Sequence, residues 1–390
     1  MGTMLDRGAL AWARVDLRRR WRSLVVLGLL AGITAGFAMA ALAGARRADT
    51  ALSRFRARTR AADAVVFASQ VGVPHPDWSK LRSRPEVADL GVWDLLFGNQ
   101  NGQPGGLLFP ANDKVFEQRF GTPMVLAGRM WNPSAPDEVV VSQAMAKGGF
   151  PVGSTFSFKA FGAEQADADT EPTGPDLTFH VVGEVRTINE FLFTDGQFFV
   201  GPGFVARYGS QVQLAENADV RLRDGAADVA ALQRDVNQVV APGTTVLDLH
   251  AVSRRVDTTI SVEHAALLML AVAIAVAGGV LLAQALRRSA GVIEDDTLVL
   301  RSMGMTPATI TSAATAPHVL TAGVTIAVAL VTAVVGSAAF PVGLSRKIDP
   351  DVGVHADWAV LLAGAAVAAG FVLLDVYLVA RRAARRPGLR

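Results

Sequence analysis

Four long apolar runs punctuate the chain, at Leu24–Ala43, Ala265–Leu286, Thr311–Phe340 and Trp358–Ala380. Each holds about 20 or more mostly apolar residues, enough at 1.5 Å per residue to cross a hydrocarbon core of roughly 30 Å. They are spaced one plus three. Roughly 215 residues separate the first run from the second and read as a folded, water-soluble domain. There the period shortens. Glu138–Ser142 and Phe179–Val185 are short β-branched runs flanked by Pro, Gly or Asp, and predict strands. Gln143–Gly148 predicts a short helix. Asp228–Val239 predicts a longer one, with Val229, Leu232, Val236 and Val239 at helical spacing, after a strand at Ala218–Leu222. Ala163–Asp176 is acidic and rich in Pro, Gly and Thr, and predicts a loop. The soluble stretch is thus α+β.

Small residues mark the first two runs. Gly28, Gly32, Gly36, Ala40 and Gly44 recur at every fourth position, and Ala271, Ala275, Gly279 and Ala283 repeat the pattern. Such ridges let helix backbones approach closely in lipid, where packing drives association. The expectation is that spans one and two pack together, within or between protomers. Ahead of span one, residues 3–22 predict an amphipathic helix. Leu10, Ala13, Leu17 and Trp21 share a face beside Arg14, Arg18 and Arg22, as in a helix lying on the inner leaflet before turning into the membrane.

The net charge of +2 says little, but its placement gives a direction. Arg14, Arg18, Arg19, Arg20 and Arg22 precede span one; Arg287, Arg288 and Arg301 follow span two; Arg381, Arg382, Arg385, Arg386 and Arg390 follow span four. The positive-inside rule puts both termini and the loop between spans two and three in the cytoplasm; Arg outnumbers Lys by 32 to 5 and alanine is abundant, as in a high-GC bacterial coding bias, so a bacterial plasma membrane is expected. Arg46 and Arg47 lie on the far side but are outnumbered. The expected layout is a cytoplasmic helix over 1–23, a transmembrane helix over 24–44, an extracytoplasmic α+β domain over 45–262 and three further spans within 263–390. Ala41-Leu42-Ala43 resembles a signal cleavage site, yet the apolar run is longer than a signal core, so an uncleaved anchor is expected. With no cysteine, a disulfide framework and thiolate metal sites are excluded.

Between spans two and three, Ile293, Leu300 and Met303 alternate with Glu294, Asp295, Asp296 and Arg301, which predicts a short cytoplasmic helix. Gly304 can end it in a left-handed conformation, and Thr306 can cap the next helix with Pro307 at its first position.

At this point the chain resembles the FtsX-like, or MacB-type, permease subunits of ABC transporters. Three features carry the likeness: the one-plus-three topology; Leu300-Arg301-Ser302-Met303-Gly304-Met305-Thr306 followed by Ile310; and Ala127-Gly128-Arg129, Glu138–Ser142, Ala146, Val152-Gly153 and Val181-Val182-Gly183, which are similar to the family's periplasmic core domain. Met305 stands where alanine is common in the family. The resemblance implies a permease that couples ATP hydrolysis by a separate ATPase subunit to movement of the outer domain, for export or extraction of a lipid, lipoprotein or peptide, or for control of a cell-wall hydrolase. It implies a contact with the ATPase through Ile293, Glu294, Leu298, Leu300, Arg301, Met303, Gly304 and Thr306. The implied partners are that ATPase, carrying ATP and Mg, a second permease subunit in a homo- or heterodimer, membrane lipids and an extracytoplasmic protein, with no nucleic acid. The alternative is a membrane-anchored extracytoplasmic sensor or scaffold without an ATPase.

No G-x-x-x-x-G-K-[ST] loop occurs, so the chain itself is no P-loop ATPase. No His pair has metal-ligand spacing and no serine sits in a G-x-S-x-G elbow, so no catalytic, cofactor or metal site is expected. Glu263-His264, at the mouth of span two, reads as a membrane-surface pair ahead of a metal or proton site. Beyond serines and threonines, three polar residues inside spans are candidates. Gln284 is expected to bridge helices. His318, beside the kink expected at Pro317, is expected to face the bundle. Asp375 is a functional candidate or the partner of Arg381, Arg382 or a neighbouring subunit's arginine. Trp12, Trp21, Trp358 and Tyr377 fit interfacial anchoring.

Overall fold

The structure, a computed structural model, describes residues 7–68, 76–165, 170–187, 190, 196–302 and 304–385, with side chains for all of these but 7–11, 104 and 289–299. In chain order the helices are α1 (Arg7–Asp49), α2 (Ala51–Thr59), α3 (Trp78–Arg82), α4 (Gln143–Lys147), α5 (Pro202–Tyr208), α6 (Val229–Val239), α7 (Leu249–Ser302), α8 (Pro307–Thr315), α9 (His318–Gly336), α10 (Gly343–Ile348) and α11 (Trp358–Arg385). The strands are β1 (Ala64–Phe67), β2 (Val87–Gln100), β3 (Gln103–Pro110), β4 (Met124–Gly128), β5 (Glu138–Ser142), β6 (Thr155–Ala160), β7 (Asp176–Arg186), β8 (Phe198–Val200), β9 (Leu214–Leu222) and β10 (Thr245–Asp248). They form two units, Met1–Ala51 with Thr259–Arg390, and Leu52–Thr258.

The second unit is built around a ring of strands. β2 pairs with β3, β3 with β8, β8 with β5, β5 with β7 and β7 with β6, and β6 returns to β2. Alternating residues of all six strands meet in one core that includes Leu96, Leu108, Val139, Phe156, Phe179 and Phe198, so the ring is filled and leaves no edge within itself. Gly98 is where it closes. That residue pairs with both Gly106 and Ala160, and a Cβ there would sit 2.3 Å from the Lys159 carbonyl oxygen. From β2 an antiparallel arm runs through β9 and β1 to β10. Helices α3 and α6 cover one face of this arm, packing Trp78, Leu81, Leu232 and Val236 on Leu90, Ala218 and Val220. On the other face Trp93, Phe109, Phe116 and Phe199 stack with centroids 4.9–6.0 Å apart.

The motif residues of this unit hold one another. Gly128, at φ +70°, passes so close to β7 that a Cβ would lie 2.3 Å from the Val182 carbonyl oxygen, and one on Gly183 would lie 2.1 Å from that of Arg129. Arg129 grips Glu138 at 2.7 and 2.5 Å, and Glu138 also accepts from the Asn132 amide at 2.7 Å. The Arg129 guanidinium holds the Glu138 carboxyl below its ordinary range.

Among the described residues, four helical stretches are long and apolar enough to cross a membrane: Trp12–Asp49, Leu249–Arg288, Pro307–Ala339 and Trp358–Arg385. In the first unit α1 packs chiefly along α9, and α11 packs on α8, α9 and α1. Three sequence expectations change here. The N-terminal amphipathic stretch does not turn into span one: α1 runs unbroken from Arg7 to Asp49, because no Gly or Pro falls between Ala9 and Leu27. The expected short cytoplasmic helix is not separate either; it is the last part of α7, a single 54-residue helix. Within the chain, the glycine ridge of span one meets span three rather than span two. A Cβ on Gly28, Gly32 or Gly36 would lie 2.8, 2.6 or 2.5 Å from Val324, Val328 or Thr332 of α9. Spans one and two meet more sparsely, through Thr34 against Gly278, one residue off the predicted Ala275–Gly279 ridge. Gly279 instead lies nearest Phe371 of span four. The proline break is as the chemistry requires: Pro317 has no amide hydrogen, and helix α8 ends before it and α9 begins after it.

Candidate coupling site

The turn from α7 into α8 is assembled from its own backbone chemistry. Gly304 takes φ +84°, its amide donates to the Arg301 carbonyl at 2.9 Å, and the Met305 amide donates to the Leu300 carbonyl at 3.2 Å. These two bonds are the Schellman pattern that satisfies the last carbonyls of a helix. The Thr306 hydroxyl then accepts from the Thr309 amide at 3.2 Å, with Pro307 at the first helical position.

Leu300 anchors this turn. It is 3% exposed and packs with Ile310 and Ala384, with Trp12 and Met305 against them. One apolar cluster therefore ties the end of α7 to the start of α8, the end of α11 and the beginning of α1. The Arg301 guanidinium adds a hydrogen bond to the Ala384 carbonyl. Ser302, Gly304, Thr306, Pro307 and Ala308 lie exposed over the cluster. Met303 lies outside the described residues, as do the side chains of Ile293, Glu294 and Leu298; their backbone continues α7.

The intramembrane polar residues are dispersed. Asp375 is mostly buried on α11, and the cation it faces is Arg287 of α7 at 3.8 Å, neither Arg381 nor Arg382. His318 is buried at the start of α9, the helix that packs along α1. Gln284 is exposed on α7, and among the described residues it makes no hydrogen bond to another helix. An apolar cleft of about 740 Å³ opens between α1, α7 and α11, with Thr34, Gly278 and Phe371 among its walls and Arg46 on its lining.

Sequence reading missed one feature of the strand unit. Asp94 and Asp219 are 1% and 4% exposed on β2 and β9. Burial pushes the Asp219 carboxyl up to about 7, while the Trp93 indole, donating to it at 3.0 Å, opposes the rise. Burial pushes Asp94 up to about 7 as well; the neighbouring Glu216 adds to the rise and Asn112 opposes it. Glu216 in turn accepts from the Trp78 indole at 2.9 Å. Acids interrupting apolar alternation, as in Val92-Trp93-Asp94-Leu95-Leu96, were the available signal.

The family model described as MacB-like periplasmic core domain matches residues 23–239. No curated protein matches the chain. Among solved structures, the periplasmic region of MacB from Actinobacillus actinomycetemcomitans aligns at 12% identity and a TM-score of 0.29, covering 52% of this chain and 98% of that one. The extracellular domain of the noncanonic ABC-type transporter YknZ from Gram-positive bacteria aligns at 11% identity and a TM-score of 0.27, covering 47% and 98%. Likenesses at these scores carry no weight of their own.

Proposed function

The chain belongs to the family with a MacB-like periplasmic core domain, the FtsX-like and MacB-type ABC transporter permeases, and from that premise we propose that it passes the work of a separate ATPase subunit to its strand unit. In this reading the strand unit lies outside the membrane between spans one and two, and both termini lie inside. The ATPase docks on the exposed residues around Gly304. The unit acts on a lipid, lipoprotein, peptide or cell-wall hydrolase, and the permease works as a pair with a second permease subunit.

The observation that carries the proposal is the cluster under the α7–α8 turn. A load applied to an ordinary interfacial loop dissipates in the loop. Here the turn is closed by two backbone hydrogen bonds and a cap, and the cluster Leu300 anchors beneath it joins parts of α1, α8 and α11. A push on this surface is delivered to all four spans through packed side chains, which transmit displacement because protein interiors are close-packed.

Affinity capture of the protein from native membranes, with bound ATPase identified by mass spectrometry, tests it. Wild type retains an ABC ATPase. Ser302→Trp adds bulk on the exposed side without touching the cluster and reduces retention, while Leu300→Asp, which puts a charge into the cluster, abolishes it. Retention unchanged by Ser302→Trp, or no ATPase with wild type, removes the docking assignment.

A further inference from the structure

Span two is the least buried of the four membrane-spanning stretches. Thr34 meets it at Gly278, Arg287 at its inner end faces Asp375, and Leu300 ends it in the inner cluster. Its outer end is held differently. The Glu263 carboxylate accepts the amides of Leu344 and Ser345 at 2.6 and 3.0 Å, and the Ser345 hydroxyl. Gly343 makes room for it: at φ +63°, a Cβ there would lie 2.1 Å from Glu263 Oε1. The next residue, His264, bonds through Nδ1 to the Ala45 carbonyl of α1 at 2.8 Å.

The same outer loop is fastened to α1 by charge. Asp349, whose side chain is 0% exposed, lies 2.5 Å from Arg47 Nε, and Asp357 lies 3.5 Å from Arg46. Ser337 accepts the His355 amide at 2.9 Å, folding the far end of the loop back onto the end of α9. The two arginines that ran against the inside-positive pattern thus have carboxylate partners in this loop.

We propose that residues 340–357 form a clasp that fixes the outer ends of spans one and two relative to each other, with Glu263 as its catch on span two and Arg47 as its anchor on span one. Hydrogen bonds to an ionised carboxylate are about twice as strong as neutral ones. A carboxylate that has exchanged water for three protein donors does not leave without losing all three. Releasing the catch loosens the outer end of span two, leaving it held to α1 by the His264–Ala45 bond and by Leu267 against Ala45 and Ala48. The clasp is a property of the membrane unit alone and stands or falls separately from ATPase docking.

The native chain has no cysteine, so paired spin labels can be placed at will. Double electron–electron resonance on the full chain in lipid nanodiscs, without ATPase, would compare two pairs. The outer pair is Val262→Cys on span two with Leu42→Cys on span one, at positions 65% and 37% exposed; the inner pair is Val280→Cys with Val367→Cys, 52% and 72% exposed. With the catch closed, the outer pair gives one narrow distance. In Glu263→Ala its distribution widens about twofold or more, as mixing of two populated states requires. The inner pair stays as in wild type. Gly343→Ala reproduces the widening with Glu263 intact, and Gly370→Ala, where nothing lies within 4 Å of the added Cβ, does not. An outer distribution unchanged in both Glu263→Ala and Gly343→Ala overturns the clasp, and so does equal widening of the inner pair.

Discussion

Substitution of Gly32 tests the packing that holds the membrane unit together. An added Cβ would stand 2.6 Å from the Val328 Cβ and 3.0 Å from the Thr325 carbonyl oxygen. Ordinary contacts lie near 3.5–4.0 Å. The backbone carbonyl cannot rotate away, so α1 and α9 must part by about 1 Å. A gap of that size forfeits a quarter to a half of the dispersion energy along the contact, and overpacking of this kind costs about 1–3 kcal/mol. Alanine also gains about 1 kcal/mol of helix propensity over glycine in water, so the cost must be read against a control. Gly323 on α9 and Gly370 on α11 have nothing within 4 Å of an added methyl group and carry the propensity gain alone. Denaturant unfolding of the cysteine-free protein in mixed micelles should therefore place Gly32→Ala about 1–3 kcal/mol below Gly370→Ala, with Gly32→Val lower still. If Gly32→Ala and Gly370→Ala differ by less than about 0.5 kcal/mol, roughly the spread of neutral substitutions, the α1–α9 contact is not the one described.

Three further outcomes follow from the geometry. Asp94 and Asp219 have folded values near 7 against 3.8 as the ordinary value. Below 3.8 both are protonated in either state and cost nothing; as pH rises towards 7 the unfolded carboxyls ionise while the buried ones resist. The contribution of these two groups is thus greatest in acid and is lost through that window, by up to about 4 kcal/mol per group, from 1.36 kcal/mol per unit. Tryptophan-monitored unfolding at pH 5 and pH 8 should show the fall and its reduction in Asp94→Asn; equal slopes in both proteins would contradict the burial argument. Trp93→Phe removes the Asp219 donor and should destabilise the strand unit by about 1–3 kcal/mol, the cost of an unsatisfied buried group, with near-neutral loss in the same assay counting against it. A cysteine at Ser154 should react with a membrane-impermeant maleimide in intact cells and one at Ser302 only after lysis; the reverse labelling would invert the proposed orientation.

The parts legible in the sequence were those governed by local chemistry. Strand Glu138–Ser142 occupies the span its β-branched run predicts, and Gly304, Thr306 and Pro307 form the helix stop and start their residue types encode. The strand ring was not legible. β2, β3 and the turn between them carry Gly98, Gly102, Gly105 and Gly106, which interrupt the alternation, and ring closure by β6 joins residues about 60 apart in sequence. The glycine ridge of span one announced a close approach without naming its partner, because a small-residue stripe is equally suited to any helix. Gln284 shows the converse: a polar residue in an apolar run has no partner until the neighbouring helix is known to lie there. The clasp could not be read at all, since Glu263 and Ser345 lie far apart in sequence and are joined through backbone amides that every residue possesses.

The most direct test of the central claim, that force enters at the α7–α8 turn, is ATP hydrolysis by the captured ATPase in nanodiscs with and without this permease. Wild-type permease is expected to change the hydrolysis rate, and Ser302→Trp to abolish that change while its unfolding profile stays that of wild type. A rate that responds identically to both permeases, or to neither, would contradict it.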